Sequence, residues 1–174
     1  MFVNVLGAPG SGTSSLASAL AQASTGIYFD ADMFLWAEEP AAYKTKRPND
    51  ERNLLLENAL SVTDKHVYIA GSVCGWREDL EDYFDVIVFL VVPTRIRLRR
   101  LRSRELARFE RVDPDFMRWA ASYDSGDRPG RNRQRHEQWL AQRKCPIIRI
   151  EGCPSIAESL AIVLRNPQVV NMLG

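Results

Sequence analysis

The stretch Gly7-Ala8-Pro9-Gly10-Ser11-Gly12-Thr13-Ser14-Ser15 constrains the fold more than any other part of the chain. It follows the apolar run Phe2-Val3-Asn4-Val5-Leu6 and passes directly into Leu16-Ala17-Ser18-Ala19-Leu20-Ala21, so the order reads strand, glycine-rich loop, helix. Glycines let the backbone turn back and aim successive N–H groups into one concavity. The first turn of the following helix adds unpaired donors and the positive end of its dipole. Such a concavity binds phosphate groups. A plain strand-to-helix turn needs one or two glycines; three glycines, a proline and four hydroxyls in nine residues exceed that need. One position departs from the motif G-x-x-x-x-G-K-S/T: Thr13 stands at the lysine and brings a hydrogen-bond donor without a charge.

The chain has 174 residues, 45% of them hydrophobic and 26% charged, which suits one globular domain with a substantial core. The N-terminal run leads straight into the loop, leaving no room for a targeting peptide, and no apolar run approaches a membrane span. A cytoplasmic protein without a membrane partner is expected. Net charge is +1, so the whole molecule has no bias toward nucleic acid. Cys74, Cys145 and Cys153 are odd in number and lack C-x-x-C spacing, which argues against a disulfide framework or a zinc site. They read as small buried fillers. His66 and His136 lack metal-ligand spacing and carry no chemical role in this reading.

Beyond the loop helix, Gly26-Ile27-Tyr28-Phe29 reads as a second strand ending at Asp30-Ala31-Asp32. The carboxyl ends of parallel strands open into the ligand crevice, so two carboxylates there face bound phosphates. The alternative is that Asp30 or Asp32 caps a helix continuing through Met33. Residues 38–48, with two prolines and a change from acidic to basic, read as a substrate-side loop. A helix follows over 49–62, flanked at its start by Arg47 and Arg52, which suit either a substrate anion or solvated surface charge. Residues 67–70 form a third strand closed by Gly71-Ser72-Val73-Cys74-Gly75-Trp76, where glycines permit close approach of a ligand to backbone. Residues 77–84 read as a short acidic helix, and 85–92 as the most apolar strand, central in the sheet.

The helical segment 94–111 carries Arg95, Arg97, Arg99, Arg100, Arg102, Arg104, Arg108 and Arg111 on several faces. Arg100 and Arg104, one turn apart, point the same way and suit a phosphate clamp. Residues 114–123 read as a short helix with Phe116 and Trp119 on its buried side, and 124–130 as a loop. Arg131, Arg133 and Arg135 lead into a helix ending near Lys144. The last strand spans 146–150 and turns through Glu151-Gly152-Cys153-Pro154, after which Ser155 caps a final helix through Leu164. Sustained alternation of strand and helix, without repeats, is the pattern of an α/β fold.

These residues resemble the P-loop kinases of nucleotides, nucleosides and small metabolites. Gly7-Ala8-Pro9-Gly10-Ser11-Gly12 looks like the loop of adenylate kinases, with Thr13 as the departure. Phe29-Asp30-Ala31-Asp32 resembles the acidic motif of shikimate and gluconate kinases, where one aspartate positions the acceptor hydroxyl and helps to hold magnesium. Pro93 followed by Arg100-Leu101-x-x-Arg104 is similar to the start of the kinase lid, whose arginines contact the transferred phosphoryl group. Gly152-Cys153-Pro154 stands in the place of the loop that borders adenine. The resemblance implies a three-layer α/β fold with a five-stranded parallel sheet in the order 2-3-1-4-5, flanked by helices. It implies one domain over 1–174, with a substrate-side segment at about 33–66 and a lid at about 105–135.

The resemblance further implies ATP and Mg2+. Gly7, Pro9, Gly10, Ser11, Gly12, Thr13, Ser14 and Ser15 would cradle the phosphates, with Arg135 and Gly152 also on the nucleotide. Ser14 or Ser15 would offer magnesium a hydroxyl, with Asp30 in its shell. Asp32 would orient the acceptor or act as its base. Arg100 and Arg104, with Arg131 or Arg135, would close over the phosphates and replace the missing lysine charge. Asp30, Arg47, Arg52 and Gly71 would face the acceptor. The activity implied is transfer of the γ-phosphoryl group of ATP to a nucleotide, nucleoside or small hydroxylated metabolite. The competing reading is a nucleotide binder or weak NTPase, which Thr13 favours. No nucleic acid partner is expected, because residues 94–106 lack the interleaved aromatics of an RNA-binding face. A monomer or homodimer is expected.

Overall fold

The apolar runs around residues 2–7, 67–70 and 86–91 become interior strands because both of their faces are covered by helices. In the computed structural model, residues 1–37, 45–61 and 63–173 are described; residues 38–44 of the expected substrate-side loop and Val62 lie outside them. The strands are β1 (Phe2–Gly7), β2 (Ile27–Asp30), β3 (Val67–Ala70), β4 (Val86–Val91) and β5 (Ile147–Glu151). They form one parallel sheet in the order β2-β3-β1-β4-β5. The strand read as central, β4, lies between β1 and β5, and β1 takes the middle.

Side chains of β1 alternate between two cores. Val3 and Val5 join Leu16, Leu20, Tyr68, Val88 and Val163 under α1 (Thr13–Ala23) and α8 (Ile156–Leu164). Leu6 joins Leu56, Ile69, Phe89, Trp139 and Leu140 on the other face, beneath α3 (Asn49–Ser61) and α7 (Arg133–Leu140). The remaining described helices are α2 (Ala31–Leu35), α4 (Glu78–Glu81), α5 (Thr94–Phe109), α6 (Pro114–Ala121) and α9 (Pro167–Leu173). None of the described helices is long and apolar enough to cross a membrane.

Three local expectations change. The chain continues past the helix expected to be last: α9 begins at Pro167, a residue favoured in the first helical turn, and Asn166 Oδ1 accepts from the Gln168 N–H. In α6 the buried residue is Ala120, while Phe116 and Trp119 are half-buried and stack on each other at 5.9 Å. Helix α7 stops at Leu140 rather than near Lys144.

The connections leaving β1 and β3 run in opposite directions across the sheet, which opens a crevice between their carboxyl ends. The Gly7–Ser15 stretch, Asp30 and Gly71 all lie at that edge. Buried Asn4 in β1 braces the crevice from below: its Nδ2 donates to the carbonyls of Ile69 (3.0 Å) and Gly71 (2.9 Å), fixing the turn after β3.

Candidate active site

The glycine-rich loop is clamped against α5. Gly10 has a φ of +80°, and a Cβ there would stand 2.7 Å from the Arg97 carbonyl oxygen, so no other residue fits without displacing the helix. Gly12 caps α1 from a left-handed conformation with no side-chain bond to the first turn. The first-turn donors therefore keep their anion-binding character. Thr13 opens α1, and Ser14 and Ser15 follow it at the exposed rim.

Ser14, not Ser15, meets the acidic pair: its Oγ donates to Asp30 Oδ2 at 3.0 Å. The same oxygen accepts from the Tyr28 hydroxyl at 3.2 Å. Asp30 also caps α2, its Oδ1 accepting from the Asp32 N–H at 3.0 Å. Capping and facing the loop, posed as alternatives for this residue, hold together. Asp32 lies one residue inside α2, where Oδ1 accepts from Trp36 Nε1 (3.2 Å) and stands 3.7 Å from Arg131 Nη2. Burial pushes its carboxyl above the ordinary range; Arg131 pulls it back, Asp30 raises it, and the Trp36 bond and Arg104 lower it. Gly71 closes this end of the site: a Cβ there would be 3.1 Å from Ala31 Cβ and 3.9 Å from Asp30 Oδ1.

The arginines of α5 divide by face. Arg97 points into the protein and has no exposed surface. Arg100 turns toward the loop, Nη1 donating to the Ser11 carbonyl (3.2 Å) and Nη2 to Cys153 Sγ (3.0 Å). Cys153 is exposed, unlike the buried filler expected, and Cys74 and Cys145 are half-buried. Arg104, a turn further on, is exposed, stands 3.8 Å from Glu105 and acts on Asp32 through its charge. Arg95, Arg99 and Arg102 fall at i, i+4 and i+7 on the side of the helix away from the loop and are solvated.

In the first turn of α3, Arg52 is buried rather than solvated. Its guanidinium shares Asn53 Oδ1 through Nε and Nη2 (3.2 Å each) and lies 4.4 Å over the Trp76 ring. Burial lowers its pKa, against the opposing charge of Glu81. Arg47 is bound to Glu51 at 2.7 Å. Arg131 lies over Trp119 at 5.8 Å while facing Asp32. Arg135 is exposed and donates to the Gly130 carbonyl at 3.2 Å. Gly152 donates its N–H to the Val91 carbonyl, with open space where a Cβ would point.

A buried chain of polar groups links the crevice to the segment carrying Arg131. His136 Nε2 meets Ser72 Oγ at 3.1 Å and Nδ1 meets the Tyr123 hydroxyl at 2.8 Å. Neither histidine nor tyrosine was legible as a partner in the sequence, because Ser72 lies 64 residues away. Burial, reinforced by the charges of Arg131 and Arg135 and opposed by Glu137, pushes the His136 pKa down to about 4. The folded pKa is below the unfolded value of about 6.5, so the unfolded state binds more protons between the two and stability is lost as pH falls through that window. The expected loss is about 3 kcal/mol by pH 4. Denaturant melts at pH 7 and pH 4.5 check it: a His136→Gln variant should lose much less between the two, and an equal loss would remove His136 as the cause.

The site's oxygens suit a hard divalent cation. No cluster of three or more His, Cys, Asp or Glu side chains able to hold a metal occurs among the described residues. Magnesium bound through phosphate oxygens and water needs only one or two protein oxygens, such as Ser14 Oγ and Asp30 Oδ2.

No family model matches the sequence. Among solved structures, the fold is similar to a gluconokinase from Sinorhizobium meliloti 1021, with a TM-score of 0.59, 15% identity, and coverage of 98% of this chain and 92% of that one. It is also similar to the shikimate kinase of Aquifex aeolicus vf5, with a TM-score of 0.56, 18% identity and 100% and 99% coverage. A shikimate kinase from Acinetobacter baumannii in complex with shikimate gives a TM-score of 0.59, 15% identity and 99% and 95% coverage. At these identities the likeness establishes the fold, that of the P-loop kinases. In sequence, the chain is 37% identical over 172 residues to a protein of Bacillus subtilis (strain 168) described as "Uncharacterized protein YqaC", covering 93% of this chain and 94% of that one. The chain therefore belongs to the YqaC family, built on the P-loop kinase fold.

Proposed function

We propose that the chain binds ATP with magnesium at the Gly7–Ser15 stretch and transfers the γ-phosphoryl group to a nucleotide, nucleoside or small hydroxylated metabolite. The observation that carries this reading is the convergence at one crevice of the glycine-rich loop, the Ser14–Asp30 pair at 3.0 Å, and Asp32 facing Arg131 at 3.7 Å. Phosphoryl transfer needs positioning and charge neutralisation more than covalent chemistry. The backbone of loop residues 9–13 cradles the β-phosphate, with N–H donors from Gly10, Gly12 and Thr13, since Pro9 has none and the Ser11 N–H is donated to the Ala8 carbonyl. Ser14 Oγ and Asp30 would hold the magnesium ion, which when bound would neutralise charge developing on the phosphates. Asp32, kept above the ordinary carboxylate range by burial, takes the proton of the acceptor hydroxyl. Arg100, already against the Ser11 carbonyl, supplies a cation where the loop has Thr13, and Arg104 and Arg131 close over the transferred group.

The acceptor enters between Gly71, buried Arg52 and the Arg131-bearing segment. Residues 33–66 serve as the acceptor-side segment and 105–135 as the lid. The gluconokinase and shikimate kinase likeness supports a small hydroxylated acceptor. Thr13 favours a second reading, a nucleotide binder without kinase turnover.

Calorimetric titration with ATP, with and without Mg2+, followed by ADP release across nucleosides, nucleotides and hydroxylated metabolites, tests both. Magnesium-dependent binding with release that depends on one acceptor class is the expected result. Binding without release selects the second reading, and no binding removes the phosphate role of residues 7–15.

A further inference from the structure

Three donors converge on the Asp30 carboxylate. The Asp32 N–H takes Oδ1 at 3.0 Å, while Ser14 Oγ (3.0 Å) and the Tyr28 hydroxyl (3.2 Å) both take Oδ2. Side chains alternate along a strand, so Tyr28 and Asp30, two apart in β2, stand on the same face. The Tyr28 ring packs against the core beneath α1 and carries its hydroxyl to the acid. A carboxylate oxygen accepts two hydrogen bonds, so Oδ2 meets the serine and the tyrosine at once.

We propose that Tyr28 is a positioning residue for the cation site. Its hydroxyl fixes the Asp30 carboxylate so that Oδ2 keeps accepting from the Ser14 hydroxyl, which leaves the lone pairs of Ser14 Oγ turned toward a divalent cation arriving with the nucleotide. The inference rests on the nucleotide-binding reading above. Asp30 needs such a brace because it is the last residue of β2, an edge strand paired only with β3. Without the tyrosine, Oδ2 is held only by Ser14, an exposed residue on a separate element. Groups that orient a metal-ligating carboxylate tune cation affinity without touching the cation.

Tyr28→Phe removes the hydroxyl and keeps the ring. The ring borders an open groove with Ser18, Gln22 and Lys65, so the change opens no buried cavity. The test titrates ATP into wild type and Tyr28→Phe across a range of MgCl2 concentrations, with thermal melts of both. The magnesium concentration giving half-maximal tightening should rise about tenfold in the variant. ATP affinity in EDTA and the melting temperature should stay unchanged. In an Asp30→Asn background the same substitution should add nothing, since Tyr28 acts through that carboxylate. An unchanged magnesium requirement, with or without a lower melting temperature, overturns the role of Tyr28 and leaves nucleotide binding standing. So does a full tenfold loss in the Asp30→Asn background. Absence of magnesium-dependent ATP binding in wild type overturns both.

Discussion

Replacing Arg97 by methionine is expected to destabilise the fold by about 3–5 kcal/mol, because buried carbonyl acceptors lose their donor at about 1–3 kcal/mol each. Arg97 has no exposed surface, and its five N–H donors all find acceptors. Nε donates to the Val92 carbonyl (3.0 Å), Nη1 to the carbonyls of Ala120 (3.2 Å) and Pro9 (3.4 Å), and Nη2 to Thr94 Oγ1 (2.9 Å) and Asp124 Oδ2 (2.7 Å). Asp124 is also bonded by the Thr94 hydroxyl, and the guanidinium lies 5.3 Å over Tyr123. Methionine matches the volume but leaves three carbonyls and a carboxylate without their partner. For a domain of this size each kcal/mol moves the melting temperature by about 2–4 °C, so a drop of roughly 6–20 °C is expected. Arg97→Lys, with three donors in place of five, should recover part of it. A melt of Arg97→Met within 2 °C of wild type would show that the network carries no net stability. Because Pro9 belongs to the loop proposed to hold ATP, the same variant should also weaken ATP binding, through the scaffold rather than by removing a cation from the site.

The contrast between Arg97 and its neighbours shows where a sequence stops informing. Strand, loop and helix around residues 2–21 are set by local chemistry: an apolar run, glycines that admit positive φ, then a helical period. Sheet order followed from resemblance to a known fold, and the structure has the same order. The eight arginines of 94–111 look alike in sequence, because what distinguishes them lies elsewhere in the chain. The acceptors of Arg97 come from Pro9 and Asp124, 88 and 27 residues away, and that of Arg100 from Ser11, 89 residues away. Ser14 and Ser15 are likewise equivalent until β2 brings Asp30 to one of them. In the sequence Arg131 and Arg135 stand as equal alternatives beside Arg100 and Arg104, yet Arg131 is the one that faces Asp32. His136, five residues on, ties that part of the chain to Ser72 after β3 and Tyr123 after α6.

Asp32→Asn is expected to lower the rate of phosphoryl transfer about 10³-fold, within the span that general bases contribute, and to leave ATP affinity within about twofold. Trp36 Nε1 from the end of α2 and Arg131 from the segment before α7 hold Oδ1, so an asparagine oxygen can keep the same orientation. What the amide loses is the capacity to accept a proton and the charge that pairs with Arg131. Asp30, with its two hydroxyl partners, is untouched, so magnesium and phosphate binding at the loop should persist. Burial raises the Asp32 pKa, so the acid limb of the wild-type rate profile should fall above the ordinary carboxylate range and vanish in the variant. Single-turnover ADP formation with the acceptor selected by the panel, set beside ATP titration of the same preparation, measures both quantities. A loss shared equally by rate and ATP affinity would make Asp32 a binding or structural residue. An unchanged rate would move the proton to another acceptor and leave positioning by Arg100, Arg104 and Arg131 as the source of catalysis.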